Sequence, residues 1–77
     1  ISDSTTIYPN PAKENITIQS SEKIYRVEIL NSIGQRIYNE IHNKAFVEIN
    51  INRFEQGVYI FRIEYGSTVI NKKVIVE

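Results

Sequence analysis

The chain has no cysteine, so disulfide staples and thiolate metal sites are both excluded. It has no tryptophan, one aspartate and one histidine, a thin inventory for catalysis or for stacking on sugars. Net charge is absent too. Nine Lys and Arg balance nine Asp and Glu, which removes the electrostatic case for nucleic acid or an anionic membrane surface. No apolar run exceeds four residues (Val58–Phe61), against the roughly 20 that a membrane-spanning helix needs. Residue 1 is isoleucine rather than methionine, and no charged n-region with an apolar core follows it. The sequence therefore reads as a piece of something longer or a processed product. With 77 residues it makes one small domain, with a limited core and an expected stability of about 4–12 kcal/mol.

What is present is β-branched. Fifteen isoleucines, six valines and four threonines stand against one leucine and two alanines. Such side chains fit a pleated surface and lose χ1 freedom in a helix, so composition points to an all-β fold. Eight asparagines beside the isoleucines are also what an AT-rich genome produces, but codon bias does not account for the lack of Leu and Ala at helical spacing.

Along the chain, residues 1–6 are polar and read as a linker tail, with a domain over 7–77. Ile7-Tyr8 is a short edge strand, stopped by Pro9-Asn10-Pro11, where two prolines fix φ and remove two donors. Residues 15–19 alternate as a second strand, and Ser20–Lys23 is a polar turn. In a third strand over 24–31, Tyr25, Val27 and Ile29 share the core face. Asn31-Ser32-Ile33-Gly34-Gln35 is a turn with Gly34 at a positive φ. A fourth strand (35–41) puts Ile37 and Ile41 opposite Tyr38, and His42-Asn43-Lys44 is a connection. The fifth (46–51) turns Val47, Ile49 and Ile51 inward. A crossing with Phe54 leads to the strongest strand, 58–65, where Tyr59, Phe61, Ile63 and Tyr65 alternate with Arg62 and Glu64. Gly66-Ser67 suits a type II′ hairpin. The last strand, 68–77, loses its alternation at Lys72-Lys73, which predicts a bulge or a register change there. Seven strands with turns every 8–12 residues predict an antiparallel sandwich, with a closed barrel as the alternative.

Chemistry finds little to work with. A triad needs His42 as base and Asp3 as orienter, and His42 reads as a solvated loop residue. The eight glutamates lie mostly on outward faces, no oxygen cluster has calcium spacing, and Gly34, Gly57 and Gly66 precede no helix. No catalytic, metal, cofactor or small-molecule site is expected. Tyr25 and Tyr38 are the candidates for a sugar-binding face, with core and cross-strand packing as the plainer reading. Lys72 and Lys73 point to opposite faces, one solvated and one snorkelling.

Five segments in order then carry a resemblance: Tyr8-Pro9-Asn10-Pro11-Ala12, Ile16-Thr17-Ile18, Val27-Glu28-Ile29 leading into Asn31-Ser32-Ile33-Gly34-Gln35, Gly57-Val58-Tyr59-Ile60-Phe61, and Lys72-Lys73-Val74-Ile75-Val76. Over residues 7–77 the chain resembles the type A C-terminal sorting domain of the type IX (Por) secretion system of Bacteroidota. The resemblance implies a seven-stranded immunoglobulin-like sandwich at the extreme C-terminus of an exported cargo. It implies a non-enzymatic signal, read in the periplasm by translocon and shuttle components, that takes the cargo to the cell surface or medium. It further implies removal by a sortase-like cysteine peptidase. Pro9, Asn10 and Pro11 match the opening proline motif, Asn31, Gly34 and Gln35 the Asn-x-x-Gly-Gln turn, and Gly57 and Tyr59 the Gly-x-Tyr motif. Lys72, Lys73 and Val74 match the terminal basic-apolar motif, and Phe54 stands where members often carry Leu. Each motif residue also has a plain structural reading as turn former, strand end or core. Recognition is expected to reside in Lys72, Lys73, Val74, Ile75, Val76 and Glu77, by strand addition or carboxylate capture. The competing readings are a carbohydrate-binding or adhesive module on a larger enzyme and a passive spacer. Cargo identity, cleavage site and oligomeric state are not legible.

Overall fold

The computed structural model describes residues 5–77. Five strands are found among them: β1 (Thr6–Tyr8), β2 (Asn15–Leu30), β3 (Arg36–Asn50), β4 (Gly57–Glu64) and β5 (Val69–Val76). All pair antiparallel in one sheet ordered β1-β2-β4-β5, with β3 on the other side of β2. The chain is all-β and antiparallel, as its composition predicts, but the strand count is five rather than seven. The expected second and third strands are the two halves of β2, and the expected fourth and fifth are the two halves of β3.

The difference lies in two polar stretches. Ser20–Lys23 and His42–Lys44 stay within β2 and β3 and are bends in a continuous strand pair, not turns between strands. From Gln19 to Ile24, β2 takes five steps while β3 takes two, from Phe46 to Lys44. Surplus residues in one strand force it to bend. Asn43 (φ 53°) supplies the matching irregularity in β3. Drawn straight, β2 would span about 53 Å at ~3.3 Å per residue, yet the longest dimension of the molecule is 31 Å. The sheet therefore curls back on itself. The Tyr65 hydroxyl, which donates to Ser20 Oγ (2.9 Å) and also bonds the Thr5 hydroxyl, ties the bend down.

The bend also explains a displaced aromatic. Tyr25 is 37% exposed instead of sharing the core face of Val27 and Ile29. A register shift between Ile24 and Arg26 inverts the alternation, and Ile24 takes the buried place. Beyond the bend the period of two holds. Ile16 and Ile18, Val47 and Ile49, Tyr59, Phe61 and Ile63, and Val74 and Val76 all face one core, with Ile51, Tyr65 and Ala12. Two further expectations fail. The β4–β5 register runs unbroken from Gly57↔Val76 to Glu64↔Val69, so Lys72-Lys73 carries no bulge. Lys72 sits half-buried opposite Phe61 on the inward face, and Lys73 points out. Gly66 lacks the positive φ of a II′ turn, and the β4–β5 connection closes through Tyr65 N–H donating to Thr68 O (2.8 Å).

The sheet begins earlier than the linker reading allowed. Thr6 opens β1 and Thr5 is buried, while residues 1–4 of that stretch lie outside the described residues. No helix occurs among the described residues, so none is long and apolar enough to cross a membrane.

Candidate functional site

The curl brings distant segments to one end of the sheet. Ile51 N–H donates to Glu14 O (2.8 Å), Ala12 forms a parallel bridge with Val76, and Gly57 pairs with Val76. The loop after β1, the turn after β2, the loop before β4 and the end of β5 thus share one pole. The opening proline motif, the Asn-x-x-Gly-Gln turn, the Gly-x-Tyr motif and the basic-apolar end are all there.

Two clusters form at this pole. In the first, the segment 9–12 lies along the outer edge of β5. Asn10 Nδ2 donates to Lys73 O (3.2 Å), and Ile75 N–H donates to Asn10 Oδ1 (3.0 Å). Ala12 N–H donates to Ile75 O and Glu77 N–H donates to Ala12 O, both at 2.8 Å. The Asn10 carboxamide, carrying one donor and one acceptor, reproduces what a peptide unit of a neighbouring strand would offer. Pro9 and Pro11, both preceded by cis peptide bonds, lack N–H groups, which leaves Asn10 and Ala12 as the bonding positions. Ala12 is fully buried, and its methyl fits where a larger side chain would meet the core.

In the second cluster, the turn after β2 faces the loop before β4. Asn31 Oδ1 accepts from the N–H groups of Ile33 (3.1 Å) and Gln35 (2.9 Å), while Asn31 Nδ2 donates to Gln35 Oε1 (2.9 Å). Gly34 N–H donates to Asn31 O (3.0 Å), and Gly34 takes φ 85°, where a Cβ is strained. Across the gap, the Tyr59 hydroxyl donates to Glu55 O (2.6 Å), and its ring packs against Phe54 with centroids 5.3 Å apart. Tying a strand's tyrosine back to a carbonyl just upstream fixes the loop in the manner of a tyrosine corner. Between these walls runs an open cleft of about 630 Å³, lined by Asn31, Ile33, Ile37, Phe54, Val58 and Tyr59 among others. Ile33, at the tip of the turn, is 77% exposed.

The expected recognition residues divide by parity. Val74 and Val76 are buried core, Lys72 is half-buried, and Lys73, Ile75 and Glu77 are exposed. Gly57, Asn10, Pro9, Pro11, Gly34 and Gln35 are exposed, Asn31 is half-buried, and Tyr59 is buried. Sequence reading missed the partnership of Asn10 with β5, and no local signal marks it. The exposure of Ile33 was legible in principle, since a turn tip has no core to face.

Arg53 and Glu55 also line the cleft, and Lys13 and Glu14 lie beside Pro9 and Pro11. On the outer face, Arg26 pairs with Glu64 (3.5 Å) and Arg36 with Glu28 (2.8 Å), with Arg62 at 3.9 Å from Glu28. These are opposite-sign cross-strand neighbours of the kind that set register. His42 is half-buried in β3 near the bend, not a solvated loop residue. Its Nε2 lies 2.9 Å from the Tyr38 hydroxyl and its ring stacks on Tyr38. Burial holds the His42 pKa below its ordinary value, with Glu40 opposing, and burial pushes the Tyr38 hydroxyl up, helped by Glu40. Tyr38 packs against the core, and Tyr25 carries the Arg26 guanidinium 5.6 Å from its ring centroid. No group of metal ligands occurs among the described residues.

Residues 6–77 match the family model described as the secretion system C-terminal sorting domain. No curated protein matches. Among the solved structures that match is PorZ, a surface component of the type IX secretion system of Porphyromonas gingivalis, with a TM-score of 0.81 and 21% identity. The match covers 95% of this chain and 11% of that one, so the chain spans about a tenth of the PorZ structure, and the likeness is one of fold. With the family model matched from the first residue of β1 to Glu77, the chain belongs to the secretion system C-terminal sorting domain family, the sorting signals of the type IX secretion system.

Proposed function

We propose that this domain directs an N-terminally attached cargo through the periplasm to the type IX translocon and its shuttle components. A sortase-like cysteine peptidase then removes it at or before the residues that precede β1. The domain carries no catalysis of its own. The observation that supports the reading most is the convergence of four motif segments at one pole of the domain. On this reading Val74 and Val76 anchor β5 in the core and leave Lys73, Ile75 and Glu77 to meet the machinery, with Lys72 at the rim. The halves of β2 and β3, with β1, β4 and β5, then count as the seven segments of an immunoglobulin-like sandwich.

The test is a fusion of residues 1–77 to the C-terminus of a periplasm-targeted fluorescent carrier, expressed in a type IX-competent cell and in a translocon-null twin. Carrier at the surface or in the medium of the competent cell alone is expected. Deleting Ile75–Glu77 is expected to abolish export, but it also removes both bonding partners of Ala12 and one of the two of Asn10. The pair Lys73→Glu and Ile75→Ser changes exposed side chains and keeps the backbone bonds. It is expected to block export from a folded domain. Carrier retained in the periplasm of both cells, with the domain folded, overturns the reading.

A further inference from the structure

The bonds of β5 alternate along its length. Lys73, Ile75 and Glu77 turn peptide groups toward the outer edge, where Asn10 and Ala12 meet them. In an antiparallel sheet this orientation repeats every second residue, so Val69 and Asn71 turn their peptide groups to the same edge. Both are exposed, and no strand pairs with that edge of β5 among the described residues. The outer edge of β5 is thus open over Val69–Asn71 and covered over Lys73–Glu77.

The cover is a thin one. Two of its four residues are prolines without N–H groups, three are exposed, and its one buried side chain is the methyl of Ala12. It follows directly on β1, which holds β2 over only three residues. The Ala12 pattern, N–H to Ile75 O and carbonyl to Glu77 N–H, is that of one residue in a parallel ladder. The edge is therefore already set for a parallel neighbour, and only one residue and one side-chain amide fill the place.

We infer that the Pro9–Ala12 segment is a displaceable cover, and that the β5 edge is a strand-addition site for an extended segment of a partner protein running parallel to β5. The incoming strand docks on the open stretch at Val69–Asn71 and continues toward Glu77, replacing the bonds of Asn10 and Ala12 one for one. Strand addition gains affinity from main-chain bonds and selects side chains only at alternate positions, which suits a signal read on many different cargoes. The inference rests on β5 being the segment that the machinery reads. It adds that the tether side of the domain, through β1, governs access to it.

The test uses the 77-residue domain in solution, with amide exchange followed residue by residue and a fluorescein-labelled synthetic peptide copying Val69–Val76 as the strand probe. Asn10→Ala removes both side-chain bonds. It is expected to speed exchange at Ile75 by about tenfold, with Phe61 and Ile63 unchanged, and to tighten peptide binding by about the same factor. Asn10→Asp keeps the acceptor for Ile75 N–H and is expected to fall between, which gives a readout if the alanine variant does not fold. Asn71→Pro removes an edge N–H in the open stretch and is expected to weaken peptide binding with the cover untouched. Equal peptide affinity for the wild type and the Asn10 variants, or exchange at Ile75 that tracks Phe61 in every variant, overturns the inference. So does peptide binding indifferent to Asn71→Pro. None of these readouts involves export, so failure of the carrier fusion leaves them standing, and their failure leaves the sorting function standing.

Discussion

Asn31 gives the sharpest stability prediction, because one side chain makes three of the bonds that hold the turn of the Asn-x-x-Gly-Gln motif. Asn31→Ala deprives the N–H groups of Ile33 and Gln35 of their common acceptor and the Gln35 amide of its donor. The freed groups lie at an exposed turn where water replaces the lost partners, so each bond counts only its net worth. At about 0.5–1 kcal/mol for each of the two backbone bonds, with a smaller amount for the amide pair, the loss is about 1–2 kcal/mol. For a domain of this size that lowers Tm by about 5–15 °C. Asn31→Asp keeps both acceptor bonds and loses only the bond to Gln35, so it should lose less than half as much. Thermal melts of the three proteins, with urea titrations to show that the m-value is unchanged, measure both steps. Equal losses in the two variants would refute the reasoning, since the acceptor oxygen would then not be what holds the turn. An alanine variant as stable as the wild type would refute it as well.

Other outcomes follow from the same structure. Phe61 is the largest fully buried side chain, and Phe61→Ala should cost about 3–5 kcal/mol, a large share of the stability of so small a domain, read as loss of a cooperative urea transition near room temperature. Gly34→Ala forces an L side chain to φ 85° and should cost about 1–2 kcal/mol although nothing lies within 4 Å of the added Cβ, so the loss should appear with no change in core packing by NMR. His42 has its folded pKa held below the unfolded value of 6.5, so the unfolded state takes up the proton first. Stability from this group is present above about pH 6.5 and is lost as the pH drops from there through the folded value. Urea midpoints between pH 5 and 8 should show this slope in the wild type and not in His42→Gln.

The strand count read from the turns departs from the structure at Ser20–Lys23 and His42–Lys44 for a physical reason. A polar stretch that ends a strand and one that bends a paired strand have the same composition, because both face water. What separates them is whether the partner strand follows, and the residues that flank the bend pair with residues 20 and 27 positions further along the chain, Ile24 with Lys44 and Gln19 with Phe46. The same bend turns Tyr25 out of the core face, and Lys72-Lys73 interrupts the apolar alternation without interrupting the register, because the half-buried Lys72 faces Phe61 on the inward side.

What the amino-acid order determines by itself is local. A β-branched composition disfavours long helices, period-two alternation places Val47, Ile49, Phe61 and Ile63 in the core, and the turn at Asn31–Gln35 follows from residues within reach of one another. The tertiary structure alone decides that the curl brings the motifs to one pole, and that Asn10 meets Lys73 and Ile75 across 63 and 65 positions of chain. Hydrogen bonds of that separation leave no period in the sequence, because their geometry exists only after the core has closed.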